Sequence, residues 1–95
     1  MIQSFRHKAL SKFWNAGDPD EGDPKGVRPD QRNRVRRALA ALDAAEDLRD
    51  LPAGLRPHPL QGKPKRYAIE VNGPWRITFE WTNGDALRVD LEQYH

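Results

Sequence analysis

A chain of 95 residues, 37% hydrophobic and 32% charged, has room for one compact domain with a modest core and is too apolar to be a disordered tail. It holds no cysteine, which excludes disulfides and thiolate metal sites, and no apolar run approaches the roughly 18 residues of a membrane span. The net charge of +2 conceals a segregation, because residues 25–66 carry eleven Lys/Arg against five Asp/Glu while the segments on either side are net acidic.

A basic middle suits contact with a polyanion or an acidic protein surface, yet it falls short of the uniformly basic balance of a domain that grips nucleic acid unaided. A partner that presents the substrate fits better. The amino end, Met1-Ile2-Gln3-Ser4-Phe5-Arg6, has no signal-peptide core, so the cytoplasm is the expected location and no membrane partner is expected. One domain over residues 1–95 is the expected organisation.

Met1 to Phe5 reads as a short strand. Leu10, Phe13 and Trp14, at spacings of three and four, predict a helix from about Arg6 to Ala16 that Gly17 ends. The stretch from Asp18 to Gly26 is dense in Pro, Gly and acid and reads as a solvated loop. Pro29 and Asp30 suit the first turn of a second helix reaching about Leu48, with Val35, Ala38, Leu39, Leu42 and Ala45 as its apolar stripe. Its charges oppose its own dipole: Arg32, Arg34, Arg36 and Arg37 lie toward the positive end, Asp43, Glu46 and Asp47 toward the negative. That inversion points to an external demand for the arginines, RNA or an acidic partner, against the plainer reading of a solvated arginine face.

The last third alternates as three strands: Tyr67, Ile69, Val71; then Trp75, Ile77, Phe79, Trp81; then Leu87, Val89, Leu91. An antiparallel meander follows. A two-residue turn at Asn83-Gly84 would set Phe79 opposite Arg88 and mix the faces, so a three-residue loop is predicted, pairing Phe79 with Leu87, Ile77 with Val89 and Trp75 with Leu91. The same logic at Asn72-Gly73-Pro74 pairs Val71 with Trp75, Ile69 with Ile77 and Tyr67 with Phe79. Arg76 then stands between Glu70 and Asp90, and Arg66 opposite Glu80, all as opposite charges. The fold class is α+β, two helices on one face of a mainly antiparallel sheet, in the order β-α-α-β-β-β. The other face is left open.

His58 lies in His58-Pro59-Leu60-Gln61-Gly62, and Tyr94-His95 follows the last strand. Histidine exchanges protons near neutrality and tyrosine can donate to a developing charge, which makes these residues an acid/base set. Taken alone, His58 between two prolines also fits a rigid turn, Arg76 a salt-bridged sheet residue, Tyr94 a core edge and His7 plain surface. Trp75 and Trp81 read as core. Three scattered histidines without cysteine make a poor metal-ligand set, and no glycine-rich phosphate loop is present.

Met1-Ile2-Gln3-Ser4-Phe5-Arg6-His7-Lys8, Ala40-Ala41-Leu42-Asp43, Leu55-Arg56-Pro57-His58-Pro59-Leu60-Gln61-Gly62, Val71-Asn72-Gly73-Pro74-Trp75-Arg76-Ile77-Thr78-Phe79, Asn83-Gly84-Asp85-Ala86 and Tyr94-His95, in this order and spacing, make the chain resemble the RelE/ParE superfamily of bacterial toxins. It is most similar to the HigB type of type II toxin–antitoxin systems. The resemblance spans nearly the whole length. It implies ribosome-dependent endonuclease activity on messenger RNA in the decoding site of the 70S ribosome, without a cofactor. It also implies neutralisation by a cognate helix-turn-helix (HigA-like) antitoxin, with operator DNA reached only through that partner.

Matched motif by motif, the resemblance places catalytic residues at His58, Arg76, Gln93, Tyr94 and His95. Gln61, Lys63, Lys65, Arg66, Arg32 and Arg36 are the expected RNA contacts. Two positions depart from the family pattern: Gln61 replaces a lysine, and Gln93 replaces an acidic residue before the final Tyr-His. Both keep hydrogen bonding and remove charge. A protein of this fold that binds a target such as gyrase without cutting RNA, and one that chiefly co-represses with its antitoxin, are the alternatives.

Overall fold

The computed structural model describes residues 1–16 and 27–93. The expected loop of residues 18–26, the expected helix stop at Gly17, and the Tyr94-His95 pair lie outside the described residues. Two helices, α1 (Lys8–Ala16) and α2 (Arg32–Ala44), precede a four-stranded antiparallel sheet: β1 (His58–Pro59), β2 (Arg66–Asn72), β3 (Trp75–Thr82) and β4 (Asp85–Gln93), in the order β1-β2-β3-β4. The amino-terminal segment is not a regular strand. It runs parallel beside β4, bridging Ile2 to Ala86 and Phe5 to Val89.

α1 starts at Lys8, two residues later than its apolar spacing predicts, because His7 serves as its cap: Nδ1 accepts the Leu10 N–H at 3.1 Å. His7 is thus more than surface. α2 is entered through a 3-10 turn, Pro29–Gln31, and its expected stripe is buried, with Val35, Ala38, Leu39 and Leu42 fully so. The helix stops at Ala44 rather than Leu48. Beyond it Asp50 Oδ2 accepts the N–H groups of Glu46 and Asp47 at 3.1 and 3.0 Å, while Asp47 Oδ1 accepts that of Arg49 at 2.9 Å. These carboxylates cap a separate 3-10 turn, Leu48–Asp50. The Arg49 N–H and then its guanidinium hold the Asp47 carboxyl below its ordinary pKa.

The β2–β3 register is the predicted one from Arg66↔Glu80 to Glu70↔Arg76. The turn is tighter than expected. Asn72 pairs with Trp75 around Gly73-Pro74, with Gly73 at φ 52° and an irregularity at Val71. The β3–β4 hairpin differs more. Its turn is the two-residue Asn83-Gly84, both residues at positive φ (51° and 84°), flanked by the pair Thr82↔Asp85. The face conflict that argued against this turn is removed by a bulge: between Thr78 and Glu80 the register shifts by one residue, with Arg88 at φ 50°. Ala86 therefore joins Trp81 on the covered face and is fully buried, whereas Leu87 pairs with Glu80 on the open one. Ile77 pairs with Leu91, not Val89.

The core lies between the helices and one sheet face: Leu10, Phe13, Val27, Val35, Leu39 and Leu42 meet Ile69, Ile77, Phe79, Val89 and Leu91, with Trp75 and Trp81 packed against it. Polar ties fix the layers. Arg34 donates from Nε to Glu70 O at 2.9 Å and from Nη2 to Gly54 O at 2.6 Å. Gln31, 1% exposed, donates to Asn72 Oδ1 at 3.0 Å, and Asn72 donates to Asp30 Oδ2 at 3.0 Å. α2 is thereby anchored to the β2–β3 turn.

Candidate active site

On the sheet face opposite the helices, paired residues form three rows: Arg66, Glu80, Leu87; then His58, Ala68, Thr78, Asp90; then Glu70, Arg76, Glu92. His58 and Arg76 thus share one face, which the sequence reading of three strands does not assign to His58. They stand two strands and two residues apart, roughly 12 Å between Cα atoms at ordinary strand spacing and rise. Between them lies Ala68, whose methyl group leaves the sheet surface low. His58 is exposed and belongs to an edge strand rather than a simple turn. Its place is secured by Leu60 N–H, which donates to Arg66 O at 2.8 Å.

Arg76 is held at three points. Its Nη1 donates to Gly73 O at 2.7 Å and Trp75 O at 2.9 Å, and its Nη2 lies 3.4 Å from Glu70 Oε1. The second expected partner, Asp90, is absent from this set because the tighter turn and the bulge each move the register by one residue: Asp90 pairs with Thr78 and lies 4.0 Å from Arg6 Nε. Glu92 becomes the β4 neighbour of Arg76. Glu92 Oε2 also accepts Arg66 Nη1 at 3.4 Å and, in a short hydrogen bond, the hydroxyl of Thr78. Arg88 donates to Glu80 at 2.5 Å. Each open-face arginine therefore has a carboxylate partner, and the surface is charge-balanced. A guanidinium carries five N–H donors, so a paired arginine retains donors for a phosphate.

The structure does not gather all the expected residues. Gln93 pairs with Trp75, and by alternation it belongs to the covered face, away from His58 and Arg76. Arg32 and Arg36 belong to α2 on the helix side. Arg36 lies 5.3 Å from the Phe13 ring centroid, and Arg32 Nε is buried with no partner among the described residues. Gln61, Lys63 and Lys65 are exposed in the connection from β1 to β2, with Lys65 Nζ 5.9 Å from the Tyr67 ring centroid. Two clefts, of about 340 Å³ and 440 Å³, are lined by Leu48, Arg49, Leu51, Arg56, Pro57 and Tyr67, and by Arg34, Arg37, Ala40, Ala41, Pro52, Gly54 and Leu55. Neither includes His58 or Arg76. Among the described residues no group of three His, Asp or Glu side chains could hold a metal ion, and no helix is long and apolar enough to cross a membrane.

Sequence reasoning missed Glu92 and Thr78. Strict alternation through β4 puts position 92 on the open face, but the partner assignment depends on the bulge, which no glycine marks.

A family model described as the RelE-like toxin of type II toxin–antitoxin system HigB matches residues 3–95. Two relatives match over essentially their whole length. The Endoribonuclease HigB of Proteus vulgaris is 36% identical over 97 residues, covering 100% of both chains. The Toxin HigB-1 of Vibrio cholerae serotype O1 is 32% identical over 97 residues, covering 99% of this chain and 98% of its own.

Proposed function

Since the chain belongs to the HigB-like, RelE-like toxins of type II toxin–antitoxin systems, we propose that it is an endoribonuclease that cuts messenger RNA on the translating ribosome and so arrests translation. The observation that carries this reading is the open sheet face on which His58, Arg66 and Arg76 stand together. The name of the full-length relative from Proteus vulgaris supports it.

The chemistry is attack of the ribose 2′-oxygen on the adjacent phosphorus. The P–O5′ bond breaks, leaving a 2′,3′-cyclic phosphate and a free 5′-hydroxyl. One group accepts the 2′ proton, another donates a proton to the departing 5′-oxygen, and donors steady the charge on the phosphate oxygens. His58 and His95 share the two proton transfers, Tyr94 donates a hydrogen bond or proton, and Arg76 serves the phosphate. Gln93 can orient a neighbour but cannot exchange protons at neutral pH. Gln61, Lys63, Lys65 and Arg66 follow the RNA backbone. Arg32 and Arg36, on the other side of the sheet, suit the ribosome's own RNA rather than the cleaved strand.

A toxin of this type has a cognate antitoxin. We take that partner to be a small helix-turn-helix protein through which the pair reaches its operator, and the cytoplasm to be where both act. Primer extension on a message translated by purified ribosomes tests the activity, comparing wild type with His95→Ala and Tyr94→Phe. The wild type should cut only when the message is translated, and both variants should lose most of that cutting. Equal cleavage by all three proteins overturns the site, and no cleavage by any overturns the activity.

A further inference from the structure

Glu92 pairs with Arg66 and stands beside Arg76 on the open face. Its Oε2 receives Arg66 Nη1 at 3.4 Å and the Thr78 hydroxyl, and Arg76 is its cross-strand neighbour. Arg66 starts on β2, one row away from Thr78 and two rows away from Glu92, so its side chain reaches diagonally across β3 to meet the carboxylate on β4. Thr78 is fully buried even though the helices leave this face open, as a residue beneath such a bridge should be. The Arg66 and Glu92 side chains keep 28% and 30% of their surface exposed, so the bridge is reachable from solvent.

A long arginine loses roughly 2 kcal/mol of rotamer freedom when it is fixed, and a site that fixes it beforehand spares that cost when a phosphate arrives. The Thr78 hydroxyl anchors Glu92, and Glu92 in turn anchors Arg66. Arg76 is anchored separately by Gly73 O, Trp75 O and Glu70. Two guanidinium groups are therefore held over one stretch of sheet, bordered by Ala68 and His58.

We infer that Glu92 is a positioning residue: with Thr78 it holds Arg66 above the sheet so that Arg66 and Arg76 together receive one phosphate group of the RNA strand. This inference rests on the endoribonuclease reading, and it makes Glu92 no party to bond breaking. It also gives Glu92, the partner of Arg66 and cross-strand neighbour of Arg76, a task that Gln93, on the other face, does not perform.

Two measurements on the full chain test it. The first is the ¹⁵N signal of the Arg66 guanidinium in wild type and Glu92→Gln. The second is single-turnover cleavage of a translated message by wild type, Glu92→Gln, Arg66→Ala and the double variant. The Arg66 signal should move toward that of a free arginine in Glu92→Gln. Each single substitution should slow cleavage about tenfold with half-saturation changed less than about twofold, and the double variant should be no slower than Arg66→Ala alone. An unmoved Arg66 signal, or losses that multiply in the double variant, overturns the inference. If Glu92→Gln melts below the assay temperature, Thr78→Val, which frees Glu92 without removing it, is read in the same way. A wild type that cuts nothing defeats the endoribonuclease reading, and the Arg66 signal then decides the task of Glu92 by itself.

Discussion

Arg88, at φ 50°, is the residue that lets β4 carry one position more than β3 beside Phe79. A left-handed backbone is costly for any side chain with a Cβ, and most so for a branched one. Here it is held by two bonds: the Arg88 N–H donates to Ser4 Oγ at 2.9 Å, and the guanidinium donates to Glu80 at 2.5 Å. Arg88→Val should destabilise the protein by about 1–3 kcal/mol. Arg88→Gly relieves the strain but takes this partner from the Glu80 carboxylate, whose side chain is 14% exposed, and should still leave the protein about 1 kcal/mol more stable than Arg88→Val. Urea unfolding of the two variants gives the comparison, and equal losses would show that the conformation carries no strain.

Asn72 is exposed, yet its removal should cost more than the removal of buried Gln31. Asn72→Ala leaves the Gln31 amide, 1% exposed, without its acceptor, an unpaired buried group worth about 1–3 kcal/mol. Gln31→Leu replaces that amide by an apolar side chain of similar size, and the freed Asn72 oxygen turns to water, for a loss of about 1 kcal/mol or less. The order of the two urea midpoints checks the argument.

The β2–β3 register was legible because Arg66 with Glu80 and Glu70 with Arg76 are complementary only when the apolar residues also align. The next hairpin was not. Asn83-Gly84 is a strong two-residue turn signal, and rejecting it assumed an uninterrupted β4, since nothing in the residue type of Arg88 announces a positive φ. The two-residue turn places Leu87 opposite Glu80, and the turn and the bulge together move the β4 partner of Arg76 from Asp90 to Glu92. The end of α2 was hidden for a different reason. Glu46 and Asp47 are compatible with a helix, and only the local competition of the Asp47 and Asp50 carboxylates for backbone N–H groups stops it at Ala44. His58 and Arg76 were found through the resemblance. Their common face was not legible, because it depends on the two-residue strand β1, which pairs His58 with Ala68 and has no alternating pattern of its own.

His58 is exposed on an edge strand, so its loss should not touch the core. His58→Ala should keep the wild-type urea midpoint within about 0.5 kcal/mol. Cleavage of a translated message should fall by about 10²–10⁴-fold, the range for removing a group that moves a proton. A variant that cuts at the wild-type rate would assign His58 to the β1 edge alone.

The helix-side arginines give a prediction of a different kind. Arg36 lies over Phe13 on the covered side of the sheet, so Arg36→Ala should leave single-turnover cleavage at saturating ribosomes within about twofold. Ribosome binding should weaken, and its dependence on salt concentration should become shallower, by about one phosphate contact. Sedimentation with ribosomes at several salt concentrations reads both effects. An unchanged salt slope would remove Arg36 from the ribosome-facing surface.

Arg76→Lys separates charge from shape. Lysine keeps the positive charge, but its single ammonium cannot meet Gly73 O, Trp75 O and Glu70 together and still present a planar pair of donors to a phosphate. Cleavage should therefore fall by about 10–100-fold despite the conserved charge. Part of the damage should appear in stability, because the Gly73-Pro74 turn loses the side chain that ties its carbonyls together. A urea midpoint lowered by about 1 kcal/mol is expected from the lost hydrogen bonds. Arg76→Ala should be worse in both respects, since Glu70 and Glu92 then face one another across β3 with no cation between them. If lysine restores full cleavage, long-range attraction is what the phosphate needs at this position, and the three-point hold on the guanidinium serves the turn alone.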